Sequence, residues 1–439
     1  MKTLLISSNN CVDPYPVYPL GMGVVARAFE NCSWQVTQAD ILVHGLSGIQ
    51  ELLESETYDL IGISIRNIDT VNSAEPHSDM IKIPLEIIKL CRKFSEAPVM
   101  LGGAGFSLMP EAIMACSGAD FGIVGEGEVS IMQTAAMIER GETPPRLICN
   151  RTVEQLPASY DETLLRFYYE RTHIISMQTK RGCPFNCVYC TYPALEGNRI
   201  RQRPYDEIID QIEKYHQLYP EAMFFFVDSI FNDPGEEYKR FLQAMFKRCG
   251  AVPFCCFITP DNLSDADIDF MVSCGLVMAD VGVDATSDVT LKGMGKNFTF
   301  AQAHHCVHTL LDRGVGVSCS CMVCGPDENY ETLKEGIENL KTLEPAGVGL
   351  FSGVRVLPGT VMYDIAKARG MVPADWDGVS SLFFFEEGME QDKVHEILTE
   401  AFKENRFVIY PPDRANRTLR TIHKIGYLNY RKFMRGTED

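Results

Sequence analysis

The chain has 439 residues, of which 46% are hydrophobic and 23% are charged, a balance typical of a globular protein. This length exceeds what one ordinary hydrophobic core accommodates, so we expect two or three domains. The formal net charge of -19 disfavours a nucleic-acid partner, because binding to a phosphate backbone depends on clustered Lys and Arg side chains.

The N-terminal segment has only a short apolar stretch before polar residues, unlike a signal peptide. Nor does any apolar run approach the roughly 20 residues needed to cross a bilayer. We therefore expect a soluble, cytoplasmic protein without a transmembrane segment. Sixteen cysteines in such a protein favour reduced thiols, so clustered cysteines indicate metal ligation rather than disulfides.

The first part of the chain alternates short apolar strands with helical patterns, which predicts an α/β domain with a parallel, doubly wound sheet. The predicted strands are residues 3–7, 60–65, 99–102 and 121–124. Between residues 140 and 170 the periodicity is lost and prolines gather. We place the first, Rossmann-like domain at residues 1–145 and a linker at residues 146–170.

A second alternating series predicts a partial (β/α)6 TIM-like barrel at residues 171–370. Its strands are predicted at residues 173–178, 223–227, 254–258, 278–283, 315–323 and 348–356. Residues 371–439 are predicted to form a small helical C-terminal extension. Its basic residues could meet an anionic substrate or a membrane surface, but a solvated helix face is favoured; they are Arg406, Arg414, Arg417, Arg420, Lys424, Arg431, Lys432 and Arg435.

Three cysteines lie within eight residues directly after the first predicted barrel strand: Cys183, Cys187 and Cys190. They fall at the carboxyl end of that strand, where barrel active sites are built. Three thiolates can hold three irons of a four-iron cluster and leave the fourth iron without a protein ligand. A structural zinc site is the alternative, although zinc usually takes four protein ligands in two separated pairs.

The Cys-x3-Cys-x2-Cys spacing, with Tyr189 before the last cysteine, resembles the signature of the radical S-adenosylmethionine (SAM) superfamily. The resemblance implies that the three cysteines hold a [4Fe-4S] cluster and that SAM chelates its open iron. One electron from the cluster would then cleave SAM to a 5'-deoxyadenosyl radical. Tyr189 would pack near the adenine, and an electron donor such as flavodoxin or ferredoxin would reduce the cluster.

Further segments of residues 170–370 resemble the same family. Asp228 follows the second strand and would hold the SAM amino group, hold a substrate, or cap a loop. Asp284, at the end of the fourth strand, would meet the ribose or methionine part of SAM, and Arg355, in the sixth, would also bind cofactor. Three further cysteines are spaced poorly for one metal, so we expect buried thiols, with a radical-quenching thiol as the alternative: Cys319, Cys321 and Cys324.

The first domain resembles the cobalamin-binding domain that precedes many radical SAM barrels, at residues 18–21, 102–105 and 125–128. Glycines such as Gly102 and Gly103 at a strand end let the backbone approach a large flat ligand. Ser64 and Arg66 would stand beside the corrin, with Arg66 either beneath cobalt without ligating it or filling an empty pocket through a salt bridge. Glu126 is assigned to the same site.

Our leading hypothesis is a methyltransferase that uses SAM and cobalamin to methylate an unactivated carbon. The alternatives are a cobalamin-free radical enzyme that makes or rearranges C–C bonds in a lipid or natural product, a methylthiolating enzyme, and a non-enzymatic iron-sulfur or cobalamin sensor. The phenylalanines at 383–385 and the basic tail suggest a small-molecule or lipid-like substrate that is apolar and carries an anionic group, although core packing explains the same phenylalanines.

Overall fold

Two parallel sheets, each covered by helices, make up most of this computed structural model. The structure describes residues 1–69, 71–74, 79–149, 152, 154–376 and 378–429. The basic residues Arg431, Lys432 and Arg435 of the tail lie outside the described residues.

The N-terminal sheet has the strand order β2-β1-β3-β4-β5-β6, with all neighbours parallel. Its strands are β1 (Lys2–Ser7), β2 (Gln35–Asp40), β3 (Leu60–Ser64), β4 (Val99–Gly102), β5 (Phe121–Val124) and β6 (Leu147–Cys149). The helices that cover it are α1 (Leu20–Asn31), α2 (Ile41–Ser55), a 3-10 turn (Asp79–Ile81), α3 (Lys82–Phe94), α4 (Ala104–Leu108), α5 (Pro110–Ser117) and α6 (Glu128–Glu139).

The chain order of this sheet reverses between β1 and β3, so the connections leave these two strands in opposite directions. In doubly wound sheets, ligands bind in the crevice at the carboxyl ends of such strands. The predicted strands are all present, and the sheet gains two strands that were not predicted, β2 and β6. Strand β6 lies within the segment predicted as the linker.

The second sheet has the order β17-β14-β13-β12-β11-β10-β7, again all parallel. Helix α7 (Glu162–Thr172) leads into its strands, which are β7 (Ile174–Met177), β10 (Met223–Phe226), β11 (Phe254–Ile258), β12 (Leu276–Asp284), β13 (Gly316–Val323), β14 (Gly347–Ser352) and β17 (Val408–Ile409). Two small antiparallel pairs lie outside it, β8 (Lys180–Arg181) with β9 (Arg201–Gln202) and β15 (Val354–Arg355) with β16 (Phe383–Phe384).

The helices around the barrel are α8 (Tyr192–Glu196), α9 (Tyr205–Leu218), α10 (Glu237–Cys249), α11 (Asp265–Ser273), α12 (Asp288–Gly293), α13 (Phe300–Asp312), α14 (Tyr330–Lys341) and α15 (Val361–Ala368). Ser264 and Thr299 each form a capping box, which fixes the start of α11 and of α13 by satisfying backbone N–H groups. The (β/α)6 barrel is thus confirmed.

The C-terminal extension is less purely helical than predicted, because it supplies β16 and a seventh barrel strand, β17. It also contains α16 (Gln391–Phe402), a 3-10 turn (Pro412–Ala415) and α17 (Asn416–Ile425). Beyond α17, Tyr427 closes the amino-terminal end of the barrel: a Cβ atom added at Gly316 would lie 1.6 Å from the Tyr427 hydroxyl.

The carboxyl edges of the two sheets face each other. Asp69, after β3, forms an ion pair with Arg355 in β15, and Ser73 hydrogen-bonds to Ser352 at the end of β14 with 3.0 Å between the hydroxyls. On the other side, Glu126, after β5, contacts residues that follow β7. In the described part of the chain, we find no helix with the length and apolar character that a membrane span requires.

Candidate active site

The cysteine loop is held in a fixed shape by its backbone. Gly182 has φ +89°, and a Cβ atom there would lie 2.1 Å from the Arg199 carbonyl oxygen, so only glycine fits. The Cys190 N–H donates to the Cys187 carbonyl at 3.1 Å, and the Val188 N–H donates to the Met294 carbonyl, directly after α12, at the same distance. The three thiols are thereby presented together at the carboxyl end of β7.

The thiols of Cys183, Cys187 and Cys190 suit iron binding because thiolates are iron ligands and because the three lie close to one another. Burial raises the pKa of Cys183, and burial together with the other two thiols raises the pKa of Cys190 to about 12. Metal binding replaces such protons, because thiolates are the ligands. Among the described residues, no three His, Cys, Asp or Glu side chains are close enough together to bind one metal ion. The three thiols are close enough to affect one another's pKa values, and in a four-iron cluster each thiolate binds a different iron.

Lys296 links the cysteine loop to the end of β12. Its ammonium group donates a hydrogen bond to the Cys187 sulfur at 3.2 Å and forms an ion pair with Asp284. Burial alone would lower the pKa of Lys296, but the Asp284 carboxylate and the Cys187 thiol raise it. The ammonium group also lies 5.5 Å from the centroid of the Tyr189 ring. Two residues predicted to bind SAM, Asp284 and Tyr189, therefore meet at one lysine beside the cluster loop.

Sequence reasoning missed Lys296, because a single lysine in a loop belongs to no spacing pattern. The available signal was its neighbour Gly295, which has φ +74° and at which a Cβ atom would lie 2.7 Å from the Asn186 carbonyl oxygen. This close approach packs the loop after α12 against the cysteine loop and places Lys296 beside the cysteines.

Asp228 is completely buried and accepts hydrogen bonds from the loop that precedes the cysteines. Its carboxylate accepts hydrogen bonds from the Thr179 N–H at 2.6 Å, the Thr179 hydroxyl at 2.5 Å and the Lys180 N–H at 3.1 Å. Burial raises its pKa against the opposing effect of Lys180. Of the three roles expected for Asp228, this arrangement favours loop capping.

Glu126 and Arg355, both expected at a cofactor, lie at the boundary between the domains. Glu126 forms ion pairs with Arg181, at 3.2 Å, and with Arg201. Burial would raise the pKa of Glu126, but the two arginines lower it below its ordinary value. Arg355 pairs with Asp69, while its Nη2 atom is buried without a hydrogen-bond partner among the described residues. Both residues hold the two carboxyl edges together.

The carboxyl edge of the N-terminal sheet carries the residues predicted to lie beside the corrin. Gly103 has φ +100°, and a Cβ atom there would lie 2.6 Å from the Ile65 carbonyl oxygen, so the turn after β4 packs directly on the end of β3. Ser64 and Gly102 are half-buried at the same edge, and the Arg66 side chain is exposed. This backbone surface, nearly free of bulky side chains, fits a flat macrocycle.

Arg66 also relates this edge to the cysteine loop. Desolvation raises the pKa values of Tyr15 and of the partly exposed Tyr192, whereas the Arg66 guanidinium lowers both. Tyr192 lies two residues after Cys190, so Arg66 is close to the chain that leaves the cluster loop. In the described residues no carboxylate pairs with Arg66, and the salt bridge considered from the sequence is not found there.

The three further cysteines are buried thiols, as expected, and two of the three phenylalanines at 383–385 pack within the fold. Cys319 and Cys321 are buried under the barrel helices, and Cys324 is buried in the turn after β13. Among the phenylalanines at 383–385, Phe384 is fully buried and Phe385 packs against Gly353.

Comparison with known families identifies both domains. Residues 177–340 match the radical SAM superfamily, and residues 11–134 match the B12 binding domain. The chain is a radical SAM enzyme with an N-terminal B12-binding domain.

Relatives of this radical SAM enzyme include methyltransferases. The tryptophan 2-C-methyltransferase of Streptomyces laurentii is 22% identical, with 81% of this chain and 73% of the relative aligned. An uncharacterized methyltransferase of Pyrococcus horikoshii is also 22% identical, over 75% of this chain and 76% of its own length.

Solved structures share the complete architecture. TsrM from Kitasatospora setae, a radical SAM methyltransferase solved with cobalamin and a [4Fe-4S] cluster, superposes with a TM-score of 0.84 at 22% identity, covering 99% of this chain and 98% of that one. The cobalamin-dependent radical enzyme OxsB superposes with a TM-score of 0.72 at 15% identity, covering 97% of this chain and 72% of that one. At these identities the likeness shows a common fold.

Proposed function

We propose that this radical SAM enzyme is a cobalamin-dependent methyltransferase that methylates a carbon atom of a small-molecule substrate. The observation that carries the proposal is that the carboxyl edge of the B12-binding sheet faces the cysteine loop, with Arg66 on one side and Tyr192 on the other. The methyltransferases among its relatives support the same reaction class.

When bound, the cluster would supply an electron for SAM cleavage and cobalamin would carry the methyl group. The chain's own part is to hold these groups in reach of one substrate. Cys183, Cys187 and Cys190 would ligate the cluster, and Tyr189 and Asp284, fixed by Lys296, would receive SAM.

The N-terminal domain would bind cobalamin over Ser64, Gly102 and Gly103, with Arg66 directed toward the corrin. An arginine side chain has no acceptor and stays protonated, so Arg66 would exclude water from that face without ligating cobalt. Glu126 and Arg355 would act as positioning residues, because their ion pairs fix the distance between the two carboxyl edges. A flavodoxin or ferredoxin would supply the electron.

Anaerobic purification from cells supplied with iron and cobalamin tests this proposal. We expect about four irons per chain and stoichiometric cobalt, together with transfer of a labelled methyl group from SAM to a small molecule. The Cys187→Ala variant should lose iron, whereas Cys116→Ala, at an exposed cysteine on α5, should not. Full iron without cobalt, even after reconstitution, would overturn the methyltransferase and favour the cobalamin-free radical enzyme.

A further inference from the structure

The interior of the barrel is a partly open chamber rather than a packed core. Along β13, the helix-facing residues are buried, whereas the interior-facing Ser318 is half-buried and Ser320 is exposed. On β11 the interior-facing Phe257 is 38% exposed, between two buried neighbours. A fully packed barrel would bury these side chains, so the interior has room for a ligand.

Aromatic side chains line this chamber. The rings of Phe225 and Phe257, on adjacent strands, are 5.1 Å apart between centroids. Tyr15 reaches in from the N-terminal domain and packs against the cluster formed by Ile174, Met223, Phe225 and Cys255. Below them, Tyr427 closes the chamber at Gly316. The open side therefore faces the cysteine loop and the B12-binding edge.

One carboxylate lies among these rings. The strand register sets Asp280 of β12 between Phe257 and Ser318, and the Ser318 hydroxyl donates a hydrogen bond to it. Burial raises the pKa of Asp280 to about 6, and in the described part of the chain no cation opposes this rise. Tyr15, from the other domain, is affected by the Asp280 charge but brings no positive charge of its own. Arg66, the cation that acts on Tyr15, is not among the groups that act on Asp280.

Asp280 differs in this respect from three acids at the carboxyl edges around the chamber. Asp69, Asp233 and Asp284 are each paired with a basic side chain. A carboxylate withdrawn from water without a counter-ion is costly, and such groups concentrate at functional sites.

We propose that the substrate is an aromatic molecule that carries a cationic nitrogen, with the cation paired to Asp280 and the ring packed against Phe225 and Phe257. This assignment rests on the proposed function and adds to it the chemical class of the substrate. An ammonium group supplies the counter-ion that Asp280 lacks, and the neighbouring ring faces attract both the cation and the substrate ring.

The same geometry replaces the anionic group that the sequence suggested. That expectation depended on the basic tail, but Arg420 pairs with Asp13, and Arg414 donates to the carbonyl oxygens of Phe402 and Lys403. These two arginines are thus engaged by groups of the protein itself, and the charge of the chamber is negative.

Calorimetric titration of the anaerobic protein, loaded with iron and cobalamin, tests the assignment. The probes are tryptamine and phenethylamine, compared with 3-ethylindole and indole-3-propionate, which keep the ring but lack the cation. We expect an amine to bind at least about tenfold more tightly than its uncharged or anionic counterpart. Asp280→Asn should remove that preference, whereas Asp375→Asn, at an exposed acid, should leave it unchanged.

Phe257→Ala provides a second variant that does not depend on the carboxylate, because the partly exposed ring can be removed without opening the packed layer under the helices. It should weaken the amines and 3-ethylindole alike. Equal binding of amine and uncharged probes, or unchanged preference in Asp280→Asn, would overturn the proposal, as would the absence of binding by both amines.

The two proposals fail separately. Protein that contains cobalt and iron but shows no Asp280-dependent preference for amines refutes the substrate class and leaves the methyltransferase standing. Protein that shows the preference but takes up no cobalt refutes the methyltransferase and leaves the cationic aromatic ligand.

Discussion

Replacing Lys296 with methionine tests whether its ammonium group tunes the reduction potential of the cluster. The lysine side chain is 9% exposed and donates to the Cys187 sulfur at 3.2 Å. Hydrogen bonds and charges at the ligand sulfurs are among the determinants of cluster potential. A nearby positive charge stabilises the reduced cluster, so its removal should make the potential more negative.

The geometry sets the magnitude of this shift. A unit charge about 6 Å from the centre of the cluster contributes about 3 kcal/mol at an effective dielectric constant of about 20. Since about 1.4 kcal/mol corresponds to about 59 mV for one electron, the upper limit is about 120 mV. Asp284 loses its partner in the variant, and any proton that it takes up offsets part of the effect. We therefore expect a fall of about 50 to 120 mV.

Potentiometric titration followed by electron paramagnetic resonance of the reduced cluster measures the shift. Lys292→Met removes an exposed lysine nearby and should leave the potential unchanged, while Lys296→Arg should retain most of the wild-type value. Iron and sulfide contents must match in all samples. A potential in Lys296→Met within about 15 mV of wild type would refute the reasoning.

Three further predictions follow from buried contacts. Glu126→Gln removes the carboxylate that pairs with Arg201 and one of three carboxylates around Arg181, so it should destabilise the protein by about 3 kcal/mol, measured by chemical denaturation. Glu142→Gln, at an exposed pair, should have little effect, and equal losses would contradict the assignment. Gly182→Ala forces a side chain into a left-handed, crowded position and should reduce bound iron, so full iron content would count against a rigid cysteine loop. Burial raises the pKa of Glu328 from 4.5 to about 7, so the folded state binds this proton more tightly than the unfolded state does. The free energy of unfolding should therefore fall as pH rises from about 4.5 to about 7. Glu328→Gln should flatten this pH dependence in thermal melts, and parallel curves for variant and wild type would refute the prediction.

The fold was largely predictable because its central strands are continuous apolar runs between helical patterns. The strands that were missed are edge strands. Strand β2 has a polar sequence and a half-exposed surface, and β6 and β17 are only three and two residues long. Such segments become strands through pairing with a neighbour rather than through their own pattern.

The site was predictable where its chemistry is local in sequence. The three cysteines lie within eight residues, and the matched families confirm the predicted radical SAM barrel and B12-binding domain. The partners of Arg355 and Asp228 could not be predicted from local sequence. Arg355 pairs with Asp69, 286 positions away, and Asp228 accepts from Thr179, 49 positions away. Their predicted contacts with SAM remain predictions.

The ion pairs between the two domains have a role that stability alone does not explain. The cost of removing both charges from water offsets much of the attraction within a buried ion pair. Apolar residues of similar volume in the same place often stabilise a protein at least equally. Charged pairs, however, fix direction and distance, and reactions between bound groups depend steeply on both. Glu126 and Asp69 each bind an arginine across the boundary between the two domains. The two ion pairs lie on opposite sides of the open end of the barrel chamber. Their arrangement therefore sets how far the B12-binding edge stands from the cysteine loop and from Asp280, which is the distance that a substrate bound between them has to span.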